Sequence, residues 1–322
     1  AYIFKLALLI FELTPETTKY FKDYFNIRIY SSFGELTIFV ITGLFIGLQK
    51  TKTSSIVVGF FSITNIIFSI IFVVYFNLNV KGVALGTLVS STLTSIIFLF
   101  FTFFELKKIT PLELNYNKIF NFNKIKNIFN INLNIFIRSI LLTFSFLFFT
   151  YLGNSISEDV VAANTILINL IMLSAFILDA YAFSTEGLVG YSIGSKNKKL
   201  LKEIIKNSFI LSSSTGLIIS FGYFLGKNHF IEIMTDLESI KIICLSYSVW
   251  IVIIPFISSF CYQFDGIFVG ASKTKELRNA MIMSVGIYLL TAILLVNFFG
   301  NLGLWIALSV FFILRGVTLF LY

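Results

Sequence analysis

The sequence predicts an all-α polytopic membrane protein made of two parallel-repeat six-helix bundles, the first of them incomplete. Three observations carry that prediction. Of 322 residues, 57% are hydrophobic and 12% charged, with 40 Phe, a composition far from that of a soluble domain. The apolar residues gather in nine long spans, 29–48, 55–76, 82–104, 131–152, 160–190, 204–226, 242–268, 279–299 and 302–322, plus a shorter one at 1–13. Finally, Gly-Leu-Phe-Ile-Gly-Leu-Gln-Lys-Thr-Lys at 43–52 returns as Gly-Ile-Phe-Val-Gly-Ala-Ser-Lys-Thr-Lys at 266–275, six of ten positions identical at an offset of 223.

Each of the nine spans reaches the roughly 20 residues that a helix needs to cross the hydrocarbon core. Only helices or closed barrels satisfy their backbone in lipid, and runs this continuous lack the alternation of a barrel strand. A second, weaker match pairs Asn79, Gly82 and Gly86 with Asn301, Gly303 and Ala307 at offsets of 222 and 221. From the span before Lys50 to the span before Lys273 the count advances by six helices. An even number means that both copies run the same way, so the repeat axis lies along the membrane normal.

The longest polar connection, rich in Asn and Lys around Pro111, divides the chain into a first bundle at 1–104, a linker at 105–130 and a second bundle at 131–322. At an offset of 223, the counterpart of Ile131 would fall roughly ninety residues before Ala1. The reading is therefore a twelve-helix protein lacking its N-terminal helices here, and the chain as given is expected not to transport alone. The last span is still open at Tyr322.

Charge sorts the connections into two sets. Loops 50–52, 105–126, 196–206 and 273–278 hold 15 Lys or Arg and 4 acids, whereas 12–28, 77–81, 154–159 and 227–241 hold 6 and 8. The positive-inside rule makes the first set cytoplasmic and the protein an inner (plasma) membrane one. The net charge of +8 is thus a topology signal, and a nucleic-acid partner is excluded.

Seven charges remain in or beside the spans: Lys5, Glu35, Arg138, Asp179, Glu186, Asp265 and Arg315. Such residues are costly in lipid and usually functional, at about 2.5–3.5 kcal/mol on insertion scales. Asp179 and Glu186 lie seven residues apart on one helical face. With Glu35 and Arg138 they are the candidates for substrate binding or ion coupling. Arg138 also reads as a snorkelling anchor near a span end, and Glu186 as an interfacial group.

Asp265, Pro255 and Arg315 are the gate or structural candidates. Asp265 replaces Thr42 of the first copy and is expected to contact Lys273 or Arg278. Arg315, deep in the last span, needs an acid or a wet cavity. Pro255 removes a backbone hydrogen bond and predicts a kink in 242–268. Gly43 with Gly47, and Gly266 with Gly270, permit close helix approach. Asn65, Asn164 and Asn169 line a polar path or join helices.

Cys244 and Cys261, 17 apart in one span, read as packing residues, and His229 as a solvated loop residue. The run Glu186-Gly-Leu-Val-Gly-Tyr-Ser-Ile-Gly-Ser195 lacks the ending of a phosphate loop. No nucleophile–base pair, metal motif or cofactor fingerprint is present, so the sequence predicts neither an enzyme nor a cofactor beyond a coupling ion.

Several separated segments resemble the multidrug and toxic compound extrusion (MATE) family, most of all its DinF-like branch. They are Ile27-Arg-Ile-Tyr30, Asn134-Ile-Phe-Ile-Arg138, Ala162-Ala-Asn164, Leu178-Asp-Ala-Tyr-Ala-Phe-Ser-Thr-Glu186-Gly-Leu-Val-Gly190 and Asp265 to Asn279. The resemblance runs from the end of the family's third helix into its twelfth. It implies a MATE-like fold in which two bundles rock about a central cavity, H⁺ or Na⁺ flowing inward as an organic cation is extruded. In that branch an aspartate of the first helix serves coupling, and no residue of this chain inherits that role. Arg138, Asp179, Glu186 and Asp265 match the family pattern.

The sequence thus predicts a monomeric bacterial exporter of a small, cationic molecule, driven by H⁺ or Na⁺ antiport. Protonation of a cavity carboxylate would remove the charge that holds the cation and favour the opposite-facing state. The alternative is a lipid-linked precursor flippase of the same superfamily, whose cavity should be richer in Arg and Lys. Three basic residues against four acids within the spans favour the cation exporter.

Overall fold

The computed structural model describes residues 15–109 and 121–322. The span at 1–13 with Lys5, and Pro111, lie outside the described residues. All the regular structure described is helical. In order the helices are α1 (Pro15–Gly47), α2 (Thr51–Ile70, ending in a π turn Ile71–Tyr75), α3 (Asn79–Ile109), α4 (Phe122–Asn154), α5 (Glu158–Gly194), α6 (Lys198–Met234), α7 (Glu238–Ser246), α8 (Val249–Gly270), α9 (Thr274–Phe299) and α10 (Asn301–Phe320). Among the described residues, nine of these are long and apolar enough to cross a membrane, all but α7. The chain divides into two compact units, 1–115 and 116–322.

The helices outrun the apolar spans. The stretches 15–28, 105–109, 122–126, 198–206 and 227–234, within segments read as loops, are helical extensions. α6 has 37 residues, about 55 Å at 1.5 Å per residue against a hydrocarbon core of about 30 Å. Lysines at 198, 199, 202 and 206 occupy the protruding turns. Hydropathy marks where lipid begins, whereas helix ends are set by caps. Ser157 accepts from the Val160 amide at 3.2 Å, with Glu158 and Asp159 in the first turn of α5, and Asn197 accepts from Leu200 at 3.0 Å to start α6.

The internal repeat reappears in backbone geometry. Gln49 and Ser272, at the 223-residue offset, both adopt the left-handed conformation, φ 62° and 57°. Around them the bonds Leu48 N→Leu44 O, Gln49 N→Ile46 O and Lys50 N→Phe45 O (2.9, 2.9 and 2.8 Å) match Ala271 N→Ile267 O, Ser272 N→Val269 O and Lys273 N→Phe268 O (2.9, 2.8 and 2.8 Å). This is a Schellman-type helix end, which uses the orphan carbonyls and turns the chain sharply into the next helix.

The glycines of the two copies are used differently. A Cβ on Gly266 or Gly270 would stand 2.3 Å from the Ala182 carbonyl or 2.4 Å from that of Glu186, so α8 lies directly on α5. Gly43 and Gly47 face open space; the expectation of a close approach there is not met. At an offset of 223, α5 has no counterpart in this sequence.

In the first unit α3 packs on both α1 and α2, and its close approaches use Gly34 against Ser91 and Gly86 against Ser69. Ion pairs tie Lys50 to Glu105 (2.6 Å) at one end and Lys81 to Asp23 (3.3 Å) at the other. That arrangement gathers alternate loops at alternate ends, as a helical hairpin array requires.

In the second unit α8 is central, packed against α5, α6 and α10. Its core holds Phe149, Leu167, Tyr223, Ile251, Tyr288, Trp305 and Phe311. Lipid tails are as apolar as these side chains, so close packing and interhelical hydrogen bonds, rather than water exclusion, hold it together. Near one end Asn164 and Asn301 exchange amide hydrogen bonds (2.7 and 3.1 Å), and Trp305 Nε1 donates to Asn164 Oδ1 at 2.9 Å.

The span 242–268 is broken rather than merely kinked. Tyr247, at φ −103° and ψ 7°, ends α7, and the Ser248 hydroxyl donates back to the Leu245 carbonyl at 2.7 Å. Pro255 lies inside α8, which continues through it. The break thus comes eight residues before the proline, at a tight turn where the Ser248 amide also donates to the Leu245 carbonyl at 3.2 Å.

Candidate functional site

α8 carries Asp265 into the centre of a charged cluster built from four helices of the second unit. Arg315 Nη2, on α10, donates to Asp265 Oδ2 at 2.6 Å. Arg138 Nη2, on α4, donates to the same oxygen. Asp179, on α5, lies in the electrostatic field of Asp265, Arg315 and Arg138. Two cations and one carboxylate thus meet inside one bundle, with a second carboxylate within reach of their field, each drawn from a different helix.

Burial is graded across the cluster. The Arg315 side chain is 2% exposed, Asp265 11% and Arg138 17%. Arg315 is caged by aromatic rings, its guanidinium carbon 5.7, 5.6 and 5.9 Å from the ring centres of Tyr262, Phe311 and Phe312. Such faces attract a cation most where water is excluded. Asp179 is half-buried, and among the described residues no donor reaches its carboxylate.

A neutral polar contact continues the seam between α5 and α8. Thr185 donates to Gln263 Oε1 at 2.9 Å, with Gln263 fully buried. Four buried donors in this region, Arg138 Nε, Arg315 Nε, Arg315 Nη1 and Gln263 Nε2, have no acceptor among the described residues. Buried donors are nearly always partnered, so the seam is suited to ordered water or to an acceptor-bearing ligand.

The remaining candidates fall elsewhere. Asp265 pairs with neither Lys273 nor Arg278: Lys273 reaches Glu276 at 3.4 Å, and Arg278 donates to Asn134 and Asn279, both at 2.9 Å. The Arg138 head points inward to Asp265 instead of outward to the membrane surface. Glu186 is half-buried, one turn beyond Ala182 along the α5–α8 contact. Glu35 belongs to the first unit and pairs with Arg28, with Ser31 between them: Arg28 Nη2 donates at 3.2 Å and Ser31 Oγ at 3.1 Å.

Sequence reasoning missed Arg28 as a partner, although its spacing of seven from Glu35 puts the two on one helical face. It also missed Gln263, Thr185 and Tyr262, which nothing in an apolar span distinguishes from packing residues. Thr42, the first-copy counterpart of Asp265, bonds its own helix at the Ile38 carbonyl (2.9 Å). Among the described residues, the hub of the charged cluster thus has no charged counterpart in the first copy.

Comparison with known proteins agrees with this architecture. The MatE family model matches residues 135–296. The chain is 30% identical over 319 residues to DNA damage-inducible protein F of Escherichia coli (strain K12), an alignment covering 98% of this chain and 69% of that protein. It is 22% identical to Protein DETOXIFICATION 43 of Arabidopsis thaliana, over 92% of this chain and 55% of the relative. Its fold superimposes on the Vibrio cholerae MATE transporter VcmN with a TM-score of 0.87 at 19% identity, covering 99% of this chain and 73% of the other. The chain belongs to the multidrug and toxic compound extrusion family of membrane transporters, in its DinF-like branch.

Proposed function

We propose that this chain serves a secondary exporter that extrudes a small organic cation in exchange for H⁺ or Na⁺, by alternating access in the plasma membrane, as a monomer. The observation that carries the reading is Asp179: a half-buried carboxylate with no hydrogen-bond donor among the described residues, in the field of a carboxylate, Asp265, already held by two arginines. A carboxylate held by no donor, close to one already held by two arginines, is the group on which a proton, a sodium ion or a cationic substrate competes for a single negative charge. Occupancy by the coupling ion removes the charge that holds the substrate, and the two loaded states then favour opposite conformations. Glu186, farther along the same helix, is the second contributor.

The flippase alternative draws on the four unpartnered donors of Arg138, Arg315 and Gln263, which suit the oxyanions of a pyrophosphate. The membrane loops with an excess of Lys and Arg are taken as cytoplasmic in either case.

The test is efflux of a fluorescent cation from everted vesicles bearing the full-length protein, with proton and sodium gradients imposed separately. Efflux that follows one gradient and is abolished by Asp179→Asn supports the exporter and identifies the ion. Efflux untouched by Asp179→Asn removes Asp179 from coupling, and no efflux under either gradient favours the flippase.

A further inference from the structure

The second unit also carries an apolar groove that shares Phe312 with the Arg315 cage but is lined by none of the charged residues of the cluster. α6, α8 and α10 enclose an apolar groove of about 480 Å³, within the ~300–1,000 Å³ typical of small-ligand sites. Aromatic edges build its walls: Phe209 of α6 lies 4.9 Å from Phe264 and 6.3 Å from Phe260 of α8, and Phe264 lies 6.3 Å from Phe320 of α10, centre to centre. Gly316 forms part of the lining, where an added Cβ would find its nearest neighbours 3.9 Å away. The groove follows α10 from Phe312 to Phe320, about 12 Å of helix.

One end of this groove is charged. Lys202 and Lys206 precede Phe209 on α6 by seven and three residues, so they share its face and stand about 10 and 5 Å along the axis from it. Both are exposed, and neither forms an ion pair among the described residues. Glu203, the nearest acid in sequence, projects about 100° around the helix from Lys202 and about 60° from Lys206, and pairs with neither among the described residues.

We propose that this groove is a binding site for an anionic phospholipid, one acyl chain lying against the Phe209–Phe264–Phe320 wall and the headgroup phosphate meeting Lys202 and Lys206. The apolar length and the unpaired lysines at one end match the two parts of such a lipid. A neutral lipid would leave the lysines unanswered, and an organic cation would be repelled by them. The site is independent of the transport reading, because it needs only that the chain sits in a bilayer.

Native mass spectrometry of the full-length protein in detergent, titrated with phosphatidylglycerol and phosphatidylcholine of identical chains, tests this. Juxtamembrane lysines strengthen anionic-lipid binding about fivefold each, so phosphatidylglycerol should be retained at least about fivefold over phosphatidylcholine. The double variant Lys202→Gln/Lys206→Gln should lose that preference while still taking up lipid. Gly316→Leu should reduce both lipids, circular dichroism reporting its fold, and Ile313→Trp at the exposed rim provides a second block should Gly316→Leu misfold. Equal retention of the two lipids by the parent protein, or a preference that survives loss of both lysines, overturns the headgroup assignment. Unchanged binding in the folded blocking variant overturns the groove.

Discussion

Arg315 and Asp265, fifty residues apart on neighbouring helices, meet at 2.6 Å in a part of the bundle where Arg315 is 2% exposed. The same carboxylate oxygen also accepts from Arg138. A single aspartate therefore pairs with two guanidiniums, which makes Asp265 the hub of the second unit and leaves the trio one positive charge in excess, in whose field Asp179 lies.

This hub predicts an order of stability losses. Asp265→Ala leaves two arginines unpaired inside the bundle and should cost the most, about 3–5 kcal/mol for an uncompensated buried charge. Arg315→Met leaves Asp265 its bond to Arg138 and should cost less, and Arg138→Met, at the more exposed position, least. Thermal unfolding of the purified variants in one detergent gives the order. A milder effect of Asp265→Ala than of Arg138→Met would show that the hub is misassigned.

The amide network between α5 and α10 makes a second ordering. Asn164 Oδ1 accepts from both Asn301 and Trp305, and all three residues are buried. Asn164→Leu strands two donors at about 1–3 kcal/mol each, whereas Asn301→Leu keeps the Trp305 bond. Unfolding midpoints should fall further for Asn164→Leu, and equal shifts would argue against the shared acceptor.

The repeat offers a paired experiment. Gly266→Ala should destabilise by about 1–3 kcal/mol through overpacking against Ala182. Gly43→Ala, its 223-residue counterpart in open space, should be neutral or stabilising by up to about 1 kcal/mol from helix propensity alone. Expression yield and melting temperature of the two variants, measured side by side, check the contrast.

At the shared helix end, Ser272→Gly and Gln49→Gly should each stabilise by about 1 kcal/mol, because a side chain in the left-handed region carries a penalty that glycine escapes. Both should raise the melting temperature. A fall in either variant would mean that the Ser272 or Gln49 side chain makes a contribution larger than the backbone strain.

Much of the fold was legible because membrane insertion imposes long-range order on local composition. Nine apolar runs of sufficient length correspond one for one with the nine membrane-length helices described. The residues of the cluster were also legible as charges in apolar spans. Their pairing was not, because Asp265 has two sequence-near basic residues, Lys273 and Arg278, and bonds neither of them. Helix α8 points Asp265 inward to α4 and α10, while Lys273 and Arg278 lie beyond its end. The break at Tyr247 was hidden by an uninterrupted apolar run, since a turn inside such a run leaves hydropathy unchanged.

By itself, the sequence determined the class of protein, its spanning helices and the internal repeat, since each rests on hydropathy, length or identity along the chain. Only the tertiary structure decided which charges meet, which glycine pair packs, and that Asp179 finds no donor among the described residues. Those outcomes depend on how helices from distant parts of the chain are rotated against one another. A helix presents all its faces to a sequence reader, and packing selects the one that matters.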